Sequence, residues 1–276
     1  MGSLTRRGAR LRFAGMKRFV LIALLVATGA SAQSAPDSWP DIKKQLFKGV
    51  VIAEDAAFVS LDAPPRAEDA ALTPVTMIVH PPAGDPRRVV KLSLVIDENP
   101  VPLAGEFTLG PKADVTSITT RVRVDAYTNM RLIAELSDGS LHMTKTFVKA
   151  AGGCSAPATK NPDEANAELG KMKLRVIDDA KPGRGDFVVM IRHPNYSGLQ
   201  MDQLTRLYTP ARYVDHLAVY QGGELIFAVE GGNSISENPN FRFNFARDAD
   251  NILRVEASDI DNTHFKASWP LDHGRS

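Results

Sequence analysis

The chain carries one cysteine, Cys154, in the run Ala150-Ala151-Gly152-Gly153-Cys154-Ser155-Ala156-Pro157. A single thiol cannot close an internal disulfide, which leaves chemical use, intermolecular pairing or service as a small apolar filler. Its neighbours favour chemical use, because glycines on one side and Ser-Ala-Pro on the other are loop residues rather than strand or helix residues. The expectation is an accessible thiol on a slender arm in which Gly152 and Gly153 form the flexible part. A thiolate there would be a nucleophile towards sulfur, and access would control its rate. Lys149 and Lys160 lie close in sequence; they either favour the thiolate or are solvated linker charges.

Other catalytic constellations are missing from the sequence. The histidines, His80, His142, His193, His216, His264 and His273, show no i, i+4 pair and no Cys/His spacing that would build a metal site. His80 and His193 each precede proline, which places them in extended loops or at strand ends, with His193 expected in a loop at a domain interface. There is no Gly-x-Ser-x-Gly elbow, and Gly222-Gly223 and Gly231-Gly232 sit between strand signals as hairpin turns rather than phosphate loops. No metal or cofactor is expected, and the chain is not expected to be an enzyme. The formal charge of +1 includes a basic leader, and no Lys/Arg stripe follows it, which argues against nucleic acid as a partner.

Residues 1–32 have the form of a cleavable signal peptide. Met16-Lys17-Arg18 is a basic start, Phe19 to Ala27 an apolar core, and Ala30-Ser31-Ala32 a small-x-small cleavage site. Translation starts at Met1 or at Met16, with the same mature product. No later stretch approaches the roughly 20 apolar residues that span a bilayer, so the expected product is soluble and periplasmic.

Periodicity gives the elements that must position the thiol. Trp39 to Phe47 predicts a short amphipathic helix with Pro40 in its first turn. The period then falls to two. Strands are predicted over 58–61, 75–79, 89–96, 117–125, 130–136 and 141–148, with Asp138-Gly139 as a hairpin turn. In the fourth of these, Ile118, Thr120, Val122 and Val124 share one face while Arg121, Arg123 and Asp125 share the other. After an Ala/Pro/Asn/Glu-rich stretch that reads as a tether, seven more strands are predicted over 173–177, 187–191, 214–220, 225–229, 241–245, 252–257 and 265–269. The fold expected is all-β: two immunoglobulin-like β-sandwiches in tandem, with a short N-terminal helix and a flexible inter-domain segment. The boundaries are 37–150 for the first sandwich, 151–171 for the cysteine arm and linker, and 172–272 for the second.

Asp97-Glu98-Asn99-Pro100-Val101-Pro102, the strand from Ser117 to Val124, Ala134-Glu135-Leu136-Ser137-Asp138-Gly139-Ser140 and Gly152-Gly153-Cys154 together resemble SoxY, the carrier subunit of bacterial thiosulfate oxidation. Ile191-Arg192-His193-Pro194-Asn195-Tyr196-Ser197-Gly198, Gly222-Gly223-Glu224-Leu225-Ile226-Phe227, Ser234-Ile235-Ser236-Glu237-Asn238-Pro239 and Asp259-Ile260-Asp261-Asn262 resemble its partner SoxZ. In that order they resemble the fused SoxYZ-like carriers associated with quinoprotein dehydrogenases. The resemblance implies a non-enzymatic carrier in which the Cys154 thiol holds sulfur-containing intermediates covalently and presents them to partners. Those partners would be periplasmic oxidoreductases or sulfur-cycle enzymes, a quinoprotein dehydrogenase among them. In SoxY the cysteine arm ends the chain, whereas here Ser155-Ala156-Pro157 follows, so the arm would enter a partner as a doubled strand. The alternative is a two-sandwich scaffold or assembly module for a quinoprotein dehydrogenase, with an incidental thiol.

Overall fold

The computed structural model describes Gly2 and residues 37–157, 162–178, 183–202, 205–247 and 252–271; the signal-peptide reading falls on residues outside these. The order is α1 (Trp39–Phe47), β1 (Ile52–Ala53), β2 (Val59–Asp62), β3 (Thr73–Val79), β4 (Val89–Ile96), β5 (Leu103–Leu109), β6 (Ser117–Val122), β7 (Thr128–Leu136) and β8 (Leu141–Val148). Then follow α2 (Pro162–Ala167), β9 (Met172–Asp178), β10 (Arg184–Ile191), β11 (Val214–Gln221), β12 (Glu224–Gly231), β13 (Asn240–Ala246), β14 (Ile252–Asp259) and β15 (His264–Pro270). Among the described residues the chain is all-β apart from two short helices, and α1 forms where the sequence predicts it. The stretch read as a tether contains a turn and a half of helix, α2.

The two sandwiches are fused edge to edge. One sheet runs β1-β8-β7-β4-β5-β12-β11-β14-β15 and the other β2-β3-β6-β13-β10-β9, so each sheet crosses from the first half of the chain to the second. The crossings are antiparallel ladders: β12 on β5, with Phe227 opposite Leu109, and β13 on β6, with Phe243 opposite Ile118. Alternation explains the layering, since β6 buries Ile118, Thr120 and Val122, and β10 buries Phe187, Val189 and Ile191. One hydrophobic core therefore runs through both halves, joining Leu92, Phe107 and Leu132 to Phe227, Phe243 and Val255. Helix α1 covers the outer face of the first sheet. Its Trp39 and Ile42 pack on Val95, Ile133 and Met143, and the Arg131 guanidinium lies 4.2 Å from the Trp39 ring while pairing bidentately with buried Asp97.

Candidate functional site

Beyond its last paired residue, β6 continues as Arg123-Val124-Asp125, an extension held from both sides. Asn99 donates to the Arg123 carbonyl at 2.8 Å and accepts from the Asp125 amide at 2.9 Å, while the Arg123 amide donates to the Ser234 carbonyl at 2.7 Å. The chain leaving β8 turns back onto this extension. The Gly152 amide donates to the Asp125 carbonyl (2.7 Å), the Gly153 amide to the Val124 carbonyl (3.0 Å), and the Cys154 amide to the Asp125 carboxylate (3.3 Å).

The roof comes from the second half. Ser197 donates its hydroxyl to the Cys154 carbonyl at 2.5 Å, and the Gln200 amide group donates to the Ala156 carbonyl at 2.9 Å. From below, Arg123 sends one guanidinium nitrogen to the Gly153 carbonyl at 3.3 Å and the other to the Asn195 carbonyl at 3.2 Å. Arg123 itself is 1% exposed, and its Nε has no hydrogen-bond partner among the described residues. The loop that carries Asn195 is fixed by His193, whose Nδ1 accepts from the Asn195 amide (3.1 Å), so that Nε2–H donates to buried Asp259 (3.3 Å). Burial pushes the His193 pKa down against the opposing pull of Asp259. His193 thus sits in a loop that meets the first half of the chain, and its role there is structural.

Two expectations about the arm are corrected by this geometry. Cys154 is 3% exposed rather than presented to solvent, and burial pushes its thiol up to about 12, with Asp125 adding to the rise and Arg123 opposing it. Gly152 and Gly153, expected as the flexible part of the arm, are packed against the first half in this conformation. A Cβ on Gly153 would stand 2.1 Å from the Ala70 carbonyl oxygen and 2.6 Å from that of Val124, and Gly152 has φ +73°. The same missing Cβ that permits pliability in a free arm here permits a close backbone approach. The cation acting on the thiol is Arg123, not Lys149, and Lys160 lies outside the described residues. Sequence reasoning misses Arg123 because strand alternation puts it on a polar face, and nothing local says what covers that face.

Among the described residues no cluster of His, Cys, Asp or Glu could hold a metal ion, and no helix is long and apolar enough to cross a membrane. The geometry defines a class: an all-β double sandwich whose single thiol is enclosed where its two halves meet. Comparison with known families makes this specific, since residues 43–154 match the model of sulfur oxidation protein SoxY and residues 174–270 that of sulphur oxidation protein SoxZ. The chain belongs to these sulfur-oxidation families as a SoxY–SoxZ fusion. The SoxY match ends on Cys154 itself, and the SoxZ match supplies the residues that roof it. No curated protein matches the chain. Among solved structures it is similar to superoxide reductase (neelaredoxin) from Ignicoccus hospitalis, at 13% identity over 38% of this chain and 97% of that one, with a TM-score of 0.31. Two single-substitution forms of the same reductase are also similar. One gives 14% identity over 38% and 96% of the two chains at a TM-score of 0.31, and the other 14% over 40% and 90% at 0.29. No activity is carried over from them.

Proposed function

We propose that the protein is a non-catalytic periplasmic carrier of sulfur oxidation whose cargo is attached covalently to Cys154, with the thiol sheltered between deliveries. The observation that carries this reading is the position of the thiol: the chain's only sulfhydryl is the last residue of the SoxY match and lies in an irregular turn roofed by the SoxZ half. The turn is held by a handful of hydrogen bonds and belongs to neither sheet. In the closed state the thiol is protonated. A pKa near 12 leaves about three orders of magnitude less thiolate at neutral pH than a free cysteine near pKa ~8.5.

Loading then requires the turn from Gly152 to Pro157 to leave its seat. Once exposed, the thiol loses its proton to solvent, and the Cys154 sulfur attacks the sulfenyl sulfur of a donor disulfide or S-sulfonate. The new S–S bond forms as the donor's S–S bond breaks, and the departing thiolate (from the disulfide) or sulfite (from the S-sulfonate) takes the electron pair, so no external oxidant is consumed. Sulfur-cycle enzymes are the proposed partners, and a quinoprotein dehydrogenase is the finer version of that assignment.

Burial of Cys154 favours one competing reading, a scaffold in which the thiol is a small core residue. Native-state alkylation separates the two. For the carrier, iodoacetamide modifies Cys154 through local opening, at a rate unaffected by concentrations of urea too low for global unfolding, and Cys154→Ser abolishes cargo seen by intact mass while lowering the thermal midpoint by only about 2–4 °C. If Cys154 reacts only as the whole molecule unfolds, and native material carries no added mass, the carrier reading fails and the scaffold stands.

A further inference from the structure

A cavity of about 290 Å³ opens on the outer face of the second sheet, where the SoxY and SoxZ halves adjoin. Its position follows from strand alternation. Arg121, Asn240, Met190 and Lys173 stand on the solvent side of β6, β13, β10 and β9, four consecutive strands of that sheet, while Val122, Phe241, Ile191 and Leu174 face the core side. Lys171 precedes Lys173 at the same-face spacing, and Arg192 is tied to it by an Arg192 amide to Lys171 carbonyl bond of 2.9 Å. Four cationic side chains and two carboxylates, Glu168 and Glu237, line this hollow; Arg192 is paired with Glu168 at 3.7 Å, and two positive charges remain in excess.

Arg121 is the informative member. One of its terminal nitrogens donates to the Asn238 carbonyl at 3.3 Å, but its Nε is buried and has no hydrogen-bond partner among the described residues. A planar guanidinium suits a tetrahedral oxyanion better than an ammonium does. Leu72 and Met190 give the hollow an apolar wall, and its volume exceeds what one inorganic oxyanion fills.

We propose that this hollow binds a doubly charged tetrahedral oxyanion, its oxygens on Arg121 and the Lys171/Lys173 pair, and that Leu72 and Met190 take the body of an organic ester when the oxyanion belongs to one. The site is independent of Cys154 and stands whether or not that thiol carries cargo.

The test uses the full mature chain, with inorganic phosphate and butyl phosphate as probes at pH 8, titrated by calorimetry against sodium chloride of matched ionic strength. Saturable binding of either probe is expected, with the thermal midpoint raised about 3–5 °C at a tenfold excess over Kd. Butyl phosphate binding more tightly assigns an organic ester; equal binding assigns the free ion. Arg121→Gln weakens binding about tenfold. Because that variant alters a half-buried residue, the exposed pair Lys171→Gln and Lys173→Gln provides a second measure, with a loss of about threefold; Arg242→Gln, whose side chain is paired with Asp186, leaves binding unchanged. Absence of saturable binding by both probes, or undiminished binding by the folded Arg121→Gln and Lys171→Gln/Lys173→Gln proteins, overturns the site.

Discussion

The two halves of the molecule hold each other in two different ways. Along the strand seam the contact is apolar and regular: Phe107 of β5 sits 6.4 Å from Phe241 of β13, and Phe243 stands opposite Ile118 in an unbroken ladder. At the thiol turn the contact is polar and irregular, built from side-chain donors of Arg123, Ser197 and Gln200 aimed at backbone carbonyls of both halves. Apolar burial contributes in proportion to area and tolerates small shifts, whereas a buried hydrogen bond adds about 1 kcal/mol net and loses more when one partner is removed. The seam therefore decides whether the halves stay together. The polar junction decides where one sulfur atom rests.

Phe243→Ala is the strongest way to break this comparison. Phe243 is fully buried among Phe187, Phe227 and Phe245, so truncation is expected to cost about 3–5 kcal/mol. Because the core is continuous, both halves should respond as one. Trp39 reports on the first half and Trp269 on the second, so urea unfolding followed in Trp269→Phe and Trp39→Phe backgrounds should give coincident midpoints that move together in Phe243→Ala. Separated midpoints would show that the seam does not couple the halves.

The difference between the two contacts also explains which parts were legible in the sequence. Sequence signals located β2, β3, β4, β6, β7, β8 and every strand of the second half to within a few residues, because burial on one face is a local property of the strand. They missed β5, where Gly105 and Glu106 interrupt the pattern in Leu103–Leu109, and β5 is the strand that carries the first half of the seam. Cys154 was visible as a residue, and its loop-like neighbours do form irregular backbone. Its burial was not visible, since the roof comes from Ser197 and Gln200, more than forty positions away. Asn99, His193, Asn195 and Ser197 all belong to runs that carry the resemblance to SoxY and SoxZ; the structure gives them a shared physical task, to satisfy backbone groups where the two halves meet.

Arg123→Met sharpens the contrast from the polar side. Methionine keeps the aliphatic bulk of the side chain but leaves the Gly153 and Asn195 carbonyls without their donors, at a cost of about 1–3 kcal/mol. The strand seam is untouched, so the loss should be local. Native-state alkylation of Cys154 is expected to accelerate about tenfold or more, while the two tryptophan probes still unfold together. An unchanged alkylation rate would mean that Arg123 does not hold the turn.

The smallest effect probes the thiol directly. In the folded protein Cys154 is pushed up to about 12, above the ~8.5 of an unfolded cysteine, so between these values the folded state holds the extra proton. The stability linked to that proton is fully present below about pH 8.5 and is lost as pH rises through 12. Cys154→Ala removes the linkage at a cost near neutrality of about 1 kcal/mol. Wild type should therefore lose stability more steeply than Cys154→Ala between pH 9 and 11 in urea titrations, where lysines and tyrosines titrate equally in both proteins. Parallel pH profiles would mean that the sulfur already ionises as an exposed group, and that the turn rests open in solution rather than against Arg123.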